Sequence, residues 1–269
     1  MTSSLQKKDT YIKGKSLDPD FTAYMMDLQQ GIVRVTGNEG QMMKVNKRDI
    51  DEIVSKQYIS DVAVDAGLLL LDKRLNDVAN PHQEKITVYS VATCRLILGG
   101  LGNIVPGKFI TIIPRHMALE DLNEVQETVK TGIQPVGVNA GHFTLVSNLF
   151  CNEGECNVFE TFDPYINEEN LLNSEGKKLL KLLCNTGINP LIVKCINVNL
   201  QEENECGAIA FALAIQLCFY YHEGGLNTRF IDVKQHLLSC LQQNALVDFP
   251  HIQSTDDLPN ETVRFSIIV

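Results

Sequence analysis

Gln201-Glu202-Glu203-Asn204-Glu205-Cys206-Gly207 opens into Ala208-Ile209-Ala210-Phe211-Ala212-Leu213-Ala214-Ile215-Gln216-Leu217-Cys218-Phe219-Tyr220-Tyr221, the longest apolar run of the chain. From Ala208 to Tyr221 the run has neither a polar face nor strand-like alternation. It is Ala-rich and too long for a typical strand, so a helix buried on nearly all sides is expected. His222, Glu223 and Gly224-Gly225 stop it. The acid-rich loop before it leaves Cys206 at the positive end of the helix dipole, beside backbone N–H groups without intrahelical partners. Such a position favours a thiolate and can hold a developing oxyanion, which makes Cys206 a candidate nucleophile. A lone cysteine at the head of an apolar helix is ordinarily a packing residue, however, and Glu202, Glu203 and Glu205 oppose the dipole. The assignment therefore depends on partners elsewhere in the chain.

With 269 residues, 44% of them hydrophobic and 21% charged, the composition is that of a globular chain with a full core, in one large domain or two small ones. A net charge of −10 and a pI near 5.1 speak against nucleic acid as a partner. The first residues lack an apolar signal core, and no apolar stretch reaches the roughly 18 residues of a membrane span. An intracellular protein, nuclear or cytoplasmic and without a membrane partner, is expected. Eight cysteines without a secretory signal read as reduced thiols. Cys151 and Cys156 are the one close pair. No second Cys or His pair accompanies them, so half-buried thiols on a hairpin are expected and no metal site.

Residues 1–45 are mixed and polar and show no sustained period, as in an N-terminal extension. Beyond them, 58–75 read as a helix with Ser60 or Asp61 as N-cap, and the Gly-rich 96–106 as a loop. Residues 108–113 are a β-branched strand closed by Pro114, and a helix is expected over 119–131. Residues 136–139, 142–147 and 156–162 read as strands, the last two joined by a turn at Asn152-Glu153-Gly154. A helix over 171–183, a strand over 191–198 and a last helix over 231–243 complete a mixed α+β order. It has a largely antiparallel sheet, no repeated βαβ unit and no phosphate-type Gly motif.

A thiol nucleophile needs an imidazole to take its proton and a third group to orient that imidazole. His142 opens the first strand of the hairpin, and Glu160 and Asp163 lie toward the end of the second, so pairing would bring an acid beside the histidine. The two acids compete. A hairpin folded symmetrically about Glu153-Gly154 puts residue 165 opposite His142, which favours Asp163.

In this order the residues resemble the ubiquitin-like protease family of cysteine peptidases (Ulp1-type, processing SUMO and related modifiers). Tyr58-Ile59-Ser60-Asp61 resembles the family's Trp-Leu-x-Asp, and His142-Phe143 its His-Trp strand. Asn157 to Phe162 resembles the strand that ends in Tyr-Asp-Ser-Leu, and Gln201 to Gly207 its Gln-x-Asn-x-x-Asp-Cys-Gly block. His236 to Leu241 with Phe249-Pro250 is similar to the tail of transposon-associated members. The resemblance spans residues 58 to 250. It implies a papain-like cysteine peptidase fold with a catalytic domain over 46–250 and a tail over 251–269. It also implies catalytic roles for His142, Glu160, Gln201 and Cys206, and substrate contacts from Tyr58, Asp61 and Phe143.

The implied reaction is cleavage after the C-terminal Gly of a ubiquitin-like modifier, SUMO-type above others, or of its conjugate, with no cofactor. Glu160 stands where the family has Asp, as it does in the adenovirus protease, a relative. Gln201 lies five residues before the cysteine instead of six. The chain has no tryptophan, whereas the family places two at the positions of Tyr58 and Phe143, over the channel for a Gly-Gly tail. These departures leave a second reading, a module of the same fold that binds a ubiquitin-like protein without cleaving it.

Overall fold

The computed structural model describes residues 31–55, 58–77, 85–115, 142–161, 166–184, 190–198, 204–219, 228–249, 251–253 and 262–269. Strands β1 (Val33–Thr36) and β2 (Met42–Val45) come first, then helices α1 (Lys47–Val54) and α2 (Asp61–Asp77). They are followed by β3 (Ile86–Tyr89), α3 (Val91–Leu98), β4 (Lys108–Pro114), β5 (Phe143–Ser147) and β6 (Glu155–Thr161). The remainder is α4 (Ser174–Cys184), β7 (Ile192–Val198), α5 (Cys206–Phe219), β8 (Thr228–Phe230), α6 (Val233–Gln243), β9 (His251–Gln253) and β10 (Thr262–Ile268).

A six-stranded sheet in the order β10-β7-β6-β5-β4-β3 forms the frame. The pairs β10/β7, β6/β5 and β5/β4 are antiparallel, whereas β7/β6 and β4/β3 are parallel. The sheet is therefore mostly antiparallel, as expected, but it holds two βαβ crossovers that the sequence pattern did not suggest. A parallel pair needs a crossover connection, and the short helices α3 and α4 supply one each. Both helices pack together on one face of the sheet.

Alternation along the strands divides the core. Ile110, Ile112, Phe143, Leu145 and Phe159 pack with α2, α5 and α6, while Phe109, Ile113, Val146 and Val158 pack with α3 and α4. The helix α5 has Gln216 as its one polar side chain and lies between the sheet and the pair α2 and α6, so it has no solvated side to place. Gly67 lets α2 come close, because a Cβ there would meet the Phe211 ring at 3.1 Å.

Ser60, rather than Asp61, caps α2. Its Oγ accepts from the Ala63 N–H at 3.3 Å and donates to Asp49 Oδ1 at 2.7 Å. Asp61 instead pairs with Arg95 Nη2 at 2.5 Å, joining α2 to α3. One turn further along, Asp65 accepts from the Val91 and Ala92 N–H groups at 2.5 and 3.1 Å and so caps α3 from a neighbouring helix. Burial pushes the Asp65 carboxyl up to about 7, against the lowering effect of those two bonds.

The stretches read as extension and tail contribute to this frame. Strands β1 and β2 form a hairpin with Val35 and Val45 buried against α2 and α6. Four-residue strands contain too few alternations to register as a period. At the other end β10 is the outer strand of the main sheet, and β9 pairs with β8. The His236 ring packs edge-on against Phe249, 4.5 Å between centroids, and holds the chain where it leaves α6. The helix expected over 119–131 and the strand over 136–139 lie outside the described residues. No described helix is long and apolar enough to cross a membrane.

Candidate active site

Cys206 is the first residue of α5, with the Glu205 carbonyl taking the Ile209 N–H as the first bond of the helix. Its sulfur accepts the Phe143 N–H at 3.4 Å, so the start of α5 is tied to the start of β5. His142 directly precedes β5. Its Nε2 is 2.9 Å from Glu160 Oε2, and its ring is also hydrogen-bonded to Cys206. Since Nε2 serves the carboxylate, the nitrogen left for the thiol is Nδ1. Glu160 is 0% exposed and His142 keeps 21% of its side-chain surface, so a fully buried acid holds a partly exposed histidine.

The register of the hairpin explains which acid meets the histidine. Leu145 pairs with Phe159 and Ser147 with Asn157, so His142 lies three residues beyond the first pair on one strand and Glu160 one residue beyond it on the other. Symmetric folding about Glu153-Gly154 would have set Ser147 against residue 160, and that expectation fails. The chain leaves β5 early because the Asn148 side chain is held to β4, accepting from the Phe109 N–H at 2.7 Å and donating to the Gly107 carbonyl at 3.1 Å. Residues 148–154 then form a wide loop, closed by Gly154 at a φ of +81°. Asp163 lies outside the described residues.

Burial of the His142 ring works against its charged form. Hydrogen bonds to Cys206 and Glu160, together with the charge on each, outweigh it and raise the pKa from 6.5 to about 9. The surroundings of the ring thus favour its protonated form.

Other residues singled out in the sequence fall differently. Tyr58 is 39% exposed, but Phe143 is 0% exposed. The ring of Phe143 belongs to the core beside α5, so the expectation that it walls a substrate channel is corrected: alternation turns it inward with Leu145. Asp61 is engaged by Arg95 as described above. Gln201 lies outside the described residues. Cys151 is half-buried and Cys156 fully buried; none of the eight cysteines forms a disulfide. Among the described residues no group of three or more His, Cys, Asp and Glu side chains is placed to hold a metal ion.

Gly207 carries a constraint that the sequence did not reveal. A Cβ there would lie 2.6 Å from Ile59 Cδ1 and 3.1 Å from Phe143 Cδ2. Gly207→Ala should therefore push apart the residues that seat the sulfur, costing about 1–3 kcal/mol. Urea unfolding would read the loss, and the alkylation rate of Cys206 should change with it; unchanged stability would mean that Ile59 yields without cost.

Arg115 was also missed. It follows Pro114 at the end of β4, and its Nη2 lies 2.8 Å from Glu160 Oε2. Its backbone N–H donates to the His142 carbonyl at 2.8 Å. The signal available in sequence was a lone cation at the close of a strand candidate adjoining that of His142.

The thiol at the head of α5, the histidine just before β5 and the acid of β6 are thus brought together by the sheet and the helix packed on it. No protein-family model matches the sequence, and no curated protein matches it significantly. Among solved structures, the SUMO protease Ulp1 with its catalytic cysteine oxidized to a sulfinic acid superposes with a TM-score of 0.50 at 9% identity, over 86% of this chain and 97% of that one. The sulfenic acid form of the same protease gives the same values. Such low identity speaks for the fold alone, and the fold is α+β of the Ulp1 type.

Proposed function

We propose that the protein is a cysteine peptidase or isopeptidase that cleaves after the C-terminal Gly of a ubiquitin-like modifier, SUMO-type foremost. The observation that carries this reading is the 2.9 Å contact of His142 Nε2 with the buried Glu160 carboxylate, next to a Cys206 sulfur that takes the N–H of the residue after the histidine at 3.4 Å. In the proposed reaction the Cys206 sulfur bonds to the carbonyl carbon of the terminal Gly while His142 holds the thiol proton. The C–N bond then breaks, and His142 passes that proton to the leaving amine. Water attacks the resulting thioester, giving one proton to His142, and the sulfur leaves and recovers it. Glu160 keeps the ring oriented and offsets the charge of the imidazolium. The Cys206 N–H and the Gln201 amide are proposed as the oxyanion donors. Tyr58 is the aromatic side chain available to a Gly-Gly tail, whose lack of side chains suits a narrow approach.

One observation favours the non-cleaving alternative. Cys206 itself is 1% exposed and Phe143 is enclosed, so the sulfur has little open surface. The two readings separate by turnover. The full chain should release a fluorophore from the C-terminus of at least one member of a panel of ubiquitin-like conjugates, and Cys206→Ala should not. Saturable binding of a panel member with no release from any would establish the binding module instead.

A further inference from the structure

We propose that Arg115 is a positioning residue for this site, fixing Glu160 and setting the charge balance of the thiol–imidazole pair. The inference rests on the reading of Cys206 as nucleophile.

Two donors converge on one oxygen. His142 Nε2 and Arg115 Nη2 reach Glu160 Oε2 at 2.9 and 2.8 Å, while Oε1 has no hydrogen-bond partner among the described residues. A carboxylate with no exposed surface is cut off from bulk solvent, so these two donors hold its rotamer and offset its charge. They are not equivalent. His142 gives up its proton to the leaving amine during the reaction, whereas the guanidinium stays charged throughout. At the moment His142 is neutral, Arg115 is the counter-ion that keeps Glu160 anionic and ready to direct the Nε2–H tautomer. The Arg115 side chain is itself only 11% exposed, so its charge acts with little screening. Its backbone bond to the His142 carbonyl couples the end of β4 to the residue that the carboxylate orients.

The sum of charges gives the consequence. Arg115, Glu160, His142 and Cys206 form a neutral set when the last two are an imidazolium and a thiolate. From the neighbouring elements, Lys234 on α6 acts on Glu205 and Cys206, and these outer charges, one positive and one negative, leave the balance unchanged. Removing the guanidinium leaves the buried set one charge negative, and such a set takes up a proton more readily. With that proton on the Cys206 sulfur, the reactive thiolate pair is lost near neutral pH and recovered at higher pH. A residue that only packs would lower stability without moving this midpoint.

The test follows the rate at which iodoacetamide alkylates Cys206 in the full chain, read by mass spectrometry of its peptide across pH 5 to 10 (roughly the span in which such pairs titrate). Arg115→Gln should move the midpoint up by about one pH unit, and Arg115→Lys, which restores the charge, should bring it back. If Arg115→Gln does not fold, the same upward shift should appear between Glu160→Gln and the double variant, in which no buried carboxylate is left without a counter-ion. A midpoint unmoved in both backgrounds, or moved as far by lysine as by glutamine, would overturn the proposal. Failure of the peptidase reading looks different: the wild-type thiol would then alkylate with the ordinary midpoint of about 8.5 and ignore His142→Ala.

Discussion

His142→Ala should reduce alkylation of Cys206 at pH 7 by about tenfold and reduce turnover of any accepted conjugate by on the order of 10⁴-fold or more. The two numbers differ because they read different steps. Alkylation needs only the thiolate, which the imidazolium holds, whereas turnover also needs a proton delivered to the leaving amine. The same substitution has a signature in stability. The folded value of about 9 for His142 lies above the 6.5 of a free imidazole, so the ring's favourable contribution is complete below 6.5 and disappears as pH rises through about 9. The stability gap between wild type and His142→Ala should be constant in mild acid and close between those two values. A gap that widened with pH would mean that the ring is held neutral, and the ion pair would have to be abandoned.

Glu160→Gln should cost about 10⁴-fold in turnover, with Asp163→Asn changing it little. The amide is neutral and offers an N–H where the ring needs an acceptor, so it neither balances the imidazolium nor directs the correct tautomer. It also breaks the buried ion pair between Glu160 and Arg115, at a cost of roughly 3–5 kcal/mol to folding. Turnover and unfolding must therefore be measured on the same preparation, with rates compared below the onset of unfolding. The reverse ranking of the two substitutions would transfer the orienting role to Asp163.

How far these residues could be read in advance depended on the range of the interaction that places them. The run after Cys206 declared a buried helix because no face of it is polar, and Ser60 announced a cap through purely local chemistry. Strands β4 to β6 showed through their β-branched residues and turn residues. By contrast β3 and α3 went unread, since eight helical residues capped in part by Asp65, a side chain from another helix, have little local signature. Parallel pairing of β3 with β4 and of β6 with β7 is decided by contacts across a crossover and leaves no short-range mark. The acid was ambiguous for a related reason. Counting from the turn assumed a symmetric loop, and the register was instead set by Asn148 bonding to β4. Arg115 stands 45 residues from Glu160, and nothing in either segment names the other.

The most direct measurement is incubation of the full chain with ubiquitin-like proteins that carry a thiol-reactive group in place of the scissile bond after the terminal Gly, followed by peptide mapping. A covalent adduct on Cys206 with at least one modifier, SUMO-type first, is expected, absent in Cys206→Ala and slowed in His142→Ala. Reversible binding with no adduct, or labelling spread over the other seven cysteines while Cys206 stays unmodified, would contradict the assignment of Cys206 as the nucleophile of a modifier-specific peptidase.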